Sequence, residues 1–184
     1  MDILFVCTAN QCRSAMAEAM LRRQVELGDI DAHVHSAGLL EGGQPMTEET
    51  LRALTKRGLD GSIHESRQIT SAFVRDADLV LTMTRRHLAE AARHRGEDWK
   101  SRVFTLKELV RRGYEVGPRS EGQPLDEWLR KVGANRDARE LLGDSPLDDV
   151  ADPVTEPELT TFDRAADEIE GLITRLIRLL WGPR

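Results

Sequence analysis

The sequence predicts an α/β fold: a three-layer sandwich of four mainly parallel strands with helices on both faces and a phosphate-binding loop after the first strand. Three observations carry this. Short apolar runs without polar alternation, typical of strands buried on both faces, recur along the chain. Segments with helical spacing of apolar residues separate them, which favours parallel crossovers. The first apolar run also leads directly into a polar loop and a helix start, where open α/β sheets bind ligands.

The elements follow in order. Ile3-Leu4-Phe5-Val6 is the first strand, and Cys7 to Arg13 the loop. A helix from about Ser14 to Leu27 carries Ala17, Met20, Leu21 and Val25 at helical spacing and stops at Gly28. Ala32 to His35 is a short strand, and Thr47 to Arg57 a helix between Pro45 and Gly58. Thr70 to Ala77 is a short helix, and Asp78 to Met83 another buried strand. Thr84 caps a helix reaching about Arg95, and Val103 to Leu106 is the fourth strand. Leu159 to Leu180 forms the last helix, with Phe162, Ala166, Ile169, Ile173, Leu176 and Leu180 on one core-facing stripe. The whole chain, 1–184, is expected to be one domain. The stretch from Gly113 to Val150, rich in Gly, Pro and charge, reads as an insertion too short and polar to own a core. It holds two candidate short helices, Leu125 to Val132 and Asn135 to Leu142.

Composition bounds the function. The chain is 184 residues long, with 40% apolar and 32% charged residues, so it is globular rather than disordered. Its net charge of −6 argues against a general nucleic-acid binder. The start lacks a basic leader, and Arg175 and Arg178 interrupt the longest apolar stretch. A cytoplasmic protein without membrane partners is therefore expected. Two cysteines, Cys7 and Cys12, make neither a disulfide framework nor a four-thiolate zinc site. No metal and no cofactor is expected.

The first loop reads Cys7-Thr8-Ala9-Asn10-Gln11-Cys12-Arg13-Ser14. Its amides can curl around a tetrahedral oxyanion at a helix N-terminus. Arg13 supplies a planar fork that matches two phosphate oxygens. Helix-end amides and a guanidinium favour a thiolate at Cys7, which points to in-line attack on phosphorus through a phosphocysteine. Ser14 is placed to hydrogen-bond that sulfur. No P-loop motif and no dinucleotide fingerprint is present.

At these residues a family is recognisable. Phe5 to Glu18 resembles the signature of the low-molecular-weight protein tyrosine phosphatases, which include bacterial protein-arginine phosphatases. Similar stretches occur at Ser36-Ala37-Gly38, His64 to Thr70, Asp78 to Met83 and Asp152-Pro153. The resemblance implies Cys7 as nucleophile, Arg13 as phosphate clamp and Asp152 as general acid. It makes Thr8, Ala9, Asn10, Gln11, Cys12 and Arg13 the phosphate-binding loop. It implies a loop-shaping network of Asn10, Ser14, Ser36 and His64, and a Cys12 able to pair reversibly with Cys7. The partners implied are a phosphorylated protein substrate and inorganic phosphate or oxyanion inhibitors. An acid at Asp152 also makes independent sense, because a phenolate leaving group needs a proton at neutral pH.

Four departures bear on the substrate. Gln11 stands where tyrosine phosphatases carry a small aliphatic and arginine phosphatases a threonine. Val154 and Thr155 follow Asp152-Pro153 in place of aromatics, and Leu39 and Leu40 offer none on the opposite wall. Ala9 and Ala15 replace a glycine and a proline, which would strain the loop if position 9 needed positive φ. Val103 to Glu108 is similar to the arginine-phosphatase branch. The leading expectation is phosphotyrosine hydrolysis, with phosphoarginine hydrolysis second. A phosphate-binding regulatory module is the reading from another class. An arsenate reductase would need relay cysteines that this chain lacks. Trp128, in the insertion, either approaches the cleft or packs the insertion down.

Overall fold

The computed structural model describes residues 1–141, 146–155 and 161–182. Four strands form one sheet: β1 (Asp2–Cys7), β2 (His33–Gly38), β3 (Leu79–Thr82) and β4 (Val103–Thr105). Their order is β2-β1-β3-β4 and every pair is parallel. The chain therefore steps outward in both directions from β1. The end of β1 is the switch point, where the flanking crossovers diverge and leave a crevice.

Alternation along each strand divides the core in two. Ile3, Phe5, Cys7, Leu79, Leu81 and Phe104 face one cluster, and Leu4, Val6, Val80 and Val103 face the other. The first is covered by α1 (Arg13–Leu27), α2 (Glu48–Thr55), α6 (Leu106–Val116), α7 (Leu125–Val132) and α9 (Thr161–Trp181). The second is covered by α3 (Ser71–Asp76) and α4 (Arg85–Arg95). Two short helices, α5 (Trp99–Arg102) and α8 (Ala138–Leu141), complete the described set. Thr47, Thr70, Thr84 and Thr105 each accept a backbone N–H three residues on. These threonine caps start four of the helices. Among the described residues no helix is long and apolar enough to cross a membrane.

The structure corrects several boundaries. β2 starts one residue later than expected and runs to Gly38, in register with β1 as far as Cys7↔Gly38. The small residues Ser36, Ala37 and Gly38 look like a turn but fit where β2 passes under the loop. A Cβ on Gly38 would lie 2.7 Å from Asn10 N and 2.8 Å from Thr8 O, so only glycine allows this approach.

The expected insertion start, Gly113, lies inside α6. A Cβ there would meet Leu179 at 2.7 Å, so Gly113 is a packing position against α9 rather than a break. The segment that follows shares the main core through Trp128, Leu129 and Val132. Helix α7 matches its expected range, and α5 was not foreseen. Of the expected helix Asn135 to Leu142 only α8 is seen, and position 142 lies outside the described residues. So do positions 159 and 160 at the expected start of the last helix.

Trp128 packs the segment down and does not approach the cleft. It is 1% exposed, and its indole N–H donates to Gly117 O at 2.9 Å. Arg136 adds a second tether, a bidentate bond to Glu108 at 2.8 and 2.7 Å, with its guanidinium 4.0 Å from the Phe104 ring. Trp128→Ala is expected to lower unfolding free energy by ~3–5 kcal/mol, measured by urea denaturation, while the folded fraction keeps its activity.

Candidate active site

The loop between β1 and α1 brings Cys7, Asn10, Arg13 and Ser14 together. Cys7 Sγ accepts the Ser14 hydroxyl at 3.0 Å and the Asn10 backbone N–H at 3.3 Å. Both donors stabilise negative charge on sulfur. Cys7 is 3% exposed, and it follows the buried run Ile3, Leu4, Phe5 and Val6 at the end of its strand.

Asn10 shapes the loop. Its φ of +57° puts it in the left-handed region, which asparagine tolerates better than most side chains. Its amide Nδ2 donates to Ser14 Oγ at 3.0 Å and Ser36 Oγ at 2.7 Å. Its Oδ1 accepts the Arg67 backbone N–H at 2.9 Å, and its carbonyl accepts His64 Nε2 at 2.7 Å. Ser36 in turn donates to the carboxylate of buried Glu18. Of the expected set, Ser14, Ser36 and His64 each hydrogen-bond Asn10. The condition for strain at Ala9 is not met, because the positive φ falls one residue later.

Cys12 lies before the first residue of α1, with its sulfur 3.7 Å from Thr47 Oγ1. Burial pushes its thiol up, which keeps it protonated. Gln11 is half-buried and its carbonyl receives Thr47 N–H at 3.4 Å. Leu40 and Val154 are 55% and 66% exposed.

Arg13 is 3% exposed and doubly held. It donates to Val150 O at 3.0 Å and to Asp152 Oδ2 at 2.6 Å. Asp152 therefore reaches the loop from the segment ahead of α9. Its other carboxylate oxygen receives Val154 N–H at 3.2 Å, which closes a turn over Pro153.

That segment is anchored from below. Val150 N–H donates to Met83 O at 2.8 Å, Thr105 Oγ1 to Asp148 O at 2.8 Å, and Arg85 N–H to Asp149 Oδ1 at 2.7 Å. Arg111 grips the Asp148 carboxylate at 3.2 and 2.9 Å. Burial opposes a charge on Asp148, but the Arg111 hydrogen bond and the charges of Arg111 and Arg85 prevail and hold it below the usual range.

Sequence reasoning missed His87, Glu18 and Asp148. His87 lies under the loop, 2.9 Å from Thr8 Oγ1 on one ring nitrogen and 2.9 Å from Thr84 Oγ1 on the other. Its signal was its place in the first turn after β3, beside the switch point. Glu18 is four residues after Ser14, on the same helix face.

Burial, then the positive charges of Arg13 and Arg86, push His87 down to about 3. An unfolded histidine titrates near 6.5. Below that pH the unfolded chain takes a proton that the fold refuses. The contribution is therefore complete above about 6.5 and is lost as pH falls toward 3. Between those limits the parent is expected to lose ~1.4 kcal/mol more per pH unit than His87→Gln, read by urea titration from pH 7 to 4.

Comparison with known proteins gives the family. The model of the low molecular weight phosphotyrosine protein phosphatases matches residues 2–116. A protein-arginine-phosphatase of Bacillus subtilis is 39% identical over 143 residues, 77% of this chain and 89% of its own. A probable low molecular weight protein-tyrosine-phosphatase, EpsP, of Ralstonia solanacearum is 31% identical over 138 residues, 74% of this chain and 91% of its own. Among solved structures, the low molecular weight protein tyrosine phosphatase of T. tengcongensis superposes with a TM-score of 0.73 at 30% identity, covering 98% of this chain and 99% of that one. The YwlE arginine phosphatase, as a mutant with a phosphorylated active-site serine, superposes at 0.70 and 28% identity, covering 97% and 94%. With the family model covering most of the chain and both branches represented among its relatives, this phosphatase belongs to the low molecular weight phosphotyrosine protein phosphatase family.

Proposed function

We propose that the chain hydrolyses protein phosphotyrosine through a phosphocysteine at Cys7. The observation that carries this is the convergence on one loop of three groups: a sulfur holding two hydrogen-bond donors, a buried guanidinium, and a carboxyl on that guanidinium. In the first step the Cys7 thiolate attacks phosphorus in line, and the ester oxygen leaves with a proton from Asp152. In the second step water attacks the phosphocysteine, Asp152 takes its proton, and the Ser14 hydroxyl stabilises the departing thiolate. Thr8, Ala9, Asn10, Gln11, Cys12 and Arg13 hold the phosphoryl oxygens. A bound phosphoryl group competes with Asp152 for Arg13, so binding substrate turns the carboxyl toward the leaving group.

A second reading, phosphoarginine hydrolysis, has its own support. The 39% identical relative is a protein-arginine-phosphatase. The chain also lacks aromatics at Leu39, Leu40, Val154 and Thr155, where a phosphotyrosine ring would gain about 1 kcal/mol by stacking. Gln11 divides the two readings, because its amide can hydrogen-bond a guanidinium and its bulk narrows an aryl pocket.

Cys7→Ser is expected to bring hydrolysis of p-nitrophenyl phosphate down to background. Asp152→Ala should slow phenyl phosphate by ~10²–10⁴-fold and better leaving groups less. Full activity in Cys7→Ser would refute the phosphocysteine route. Side-by-side kcat/KM on phosphotyrosine and phosphoarginine peptides decides the substrate. A phosphotyrosine enzyme prefers the aryl ester and gains on it with Gln11→Ile. The reverse preference establishes the second reading. Oxyanion binding without turnover on either would identify a phosphate-binding module.

A further inference from the structure

The sequence called for no metal, yet one group of metal-capable side chains gathers away from the catalytic loop. Asp2 opens β1 and pairs in register with His33 at the start of β2. His35, two residues on, projects from the same face of the strand. His33 Nδ1 lies 2.6 Å from Asp2 Oδ2, and His35 Nε2 lies 2.8 Å from Asp2 Oδ1. The two imidazoles stack with centroids 5.0 Å apart. The ligand atoms of the three residues all fall within 4.8 Å of one another.

We propose that Asp2, His33 and His35 form a binding site for a divalent late transition-metal ion, zinc above all, at the end of the sheet opposite Cys7. Two imidazoles and one carboxylate are a common zinc donor set, and they leave a fourth position for water. Zinc bonds of about 2.0–2.1 Å to tetrahedral donors place those donors about 3.3 Å apart. The histidine nitrogens therefore move back from the carboxylate by about half an ångström, and the ligand atoms, all within 4.8 Å of one another, draw together around the ion. The proton that each ring now shares with Asp2 moves to its other nitrogen, so the imidazoles bind in the neutral form.

The surroundings hold the donors in place. The Asp2 backbone N–H donates to Asp78 Oδ2 at 2.8 Å, and the His33 backbone N–H to Met1 O at 2.7 Å. Phe73 meets the His35 ring edge-on at 5.8 Å. The His35 side chain is 9% exposed and that of His33 70%, so one face is fixed and the other admits an ion from solvent. The five residue-to-residue steps from Asp2 to Cys7 span about 17 Å of extended strand. Zinc here thus acts on the stability of the β1–β2 edge and not on the reaction.

The test uses the untagged full chain carrying Cys7→Ser and Cys12→Ser, so that the loop thiols bind no metal. Calorimetric titration with Zn²⁺ is expected to show one ion per chain and a raised Tm. Co²⁺ is expected to give the visible bands of a tetrahedral or five-coordinate ion. Adding His33→Asn, at the exposed position least able to disturb folding, should weaken binding at least about tenfold. Asp2→Asn should do the same and remove the Tm gain. In the parent chain, His33→Asn should leave phosphatase turnover unchanged. Absence of stoichiometric binding, or binding that His33→Asn and Asp2→Asn leave untouched, overturns the proposal. Because the binding and Tm readouts do not use catalysis, they stand apart from the phosphatase reading.

Discussion

The architecture of the catalytic loop depends on one buried amide. Asn10 is fully buried, and a buried polar group without partners costs about 1–3 kcal/mol. Its side chain meets that demand by binding Ser14, Ser36 and the Arg67 backbone, three separate pieces of chain. Those bonds decide where the loop can be. The Ser14 hydroxyl, with its lone pairs engaged by the amide, has its proton directed at Cys7 sulfur. Ser36, likewise engaged, turns its proton to Glu18. Donation runs outward from the Asn10 amide in two directions, through Ser36 to Glu18 and through Ser14 to the sulfur. Any change that leaves one member unpaired disturbs the rest.

The sheet supplies the frame for this network. β1 and β2 stay in register to their last residues, so Ser36 arrives beneath Asn10 at a fixed height. Gly38 then lets the β2 backbone pass directly under Thr8 and Ala9. On the other side, β3 and β4 fix the segment that carries Asp152. Met83 and Thr105 hold its backbone, and Arg85 and Arg111 hold its acidic side chains. The carboxyl thus comes from far along the chain, yet it hangs from the strand ends that border the loop.

Much of this was readable in the sequence, for local reasons. A buried strand, a nucleophile, an arginine and a helix start fall within fourteen residues, so their spacing alone implies a phosphate loop. The Thr84 cap and the stripe on α9 are local as well. What escaped was set by long-range packing. Gly113 has the look of a breaker but is small because Leu179 lies against it. His87 has no motif of its own and gains meaning only once α4 is laid under Thr8. Asp2 and His33 are thirty-one residues apart, and only the parallel register makes them neighbours. Position 9 does not need positive φ, which falls one residue later on an asparagine able to bear it.

The contact between Arg13 and Asp152 carries one last consequence. A guanidinium this buried is costly without an anion beside it. In the proposed reaction phosphate and Asp152 are rival anions for the same cation, so Arg13 would exchange one partner for the other instead of passing through a bare state. The contest runs in both directions. On that reading the carboxylate that yields to incoming substrate is also the group that evicts the phosphate left behind, and product release is built into the same pair of residues.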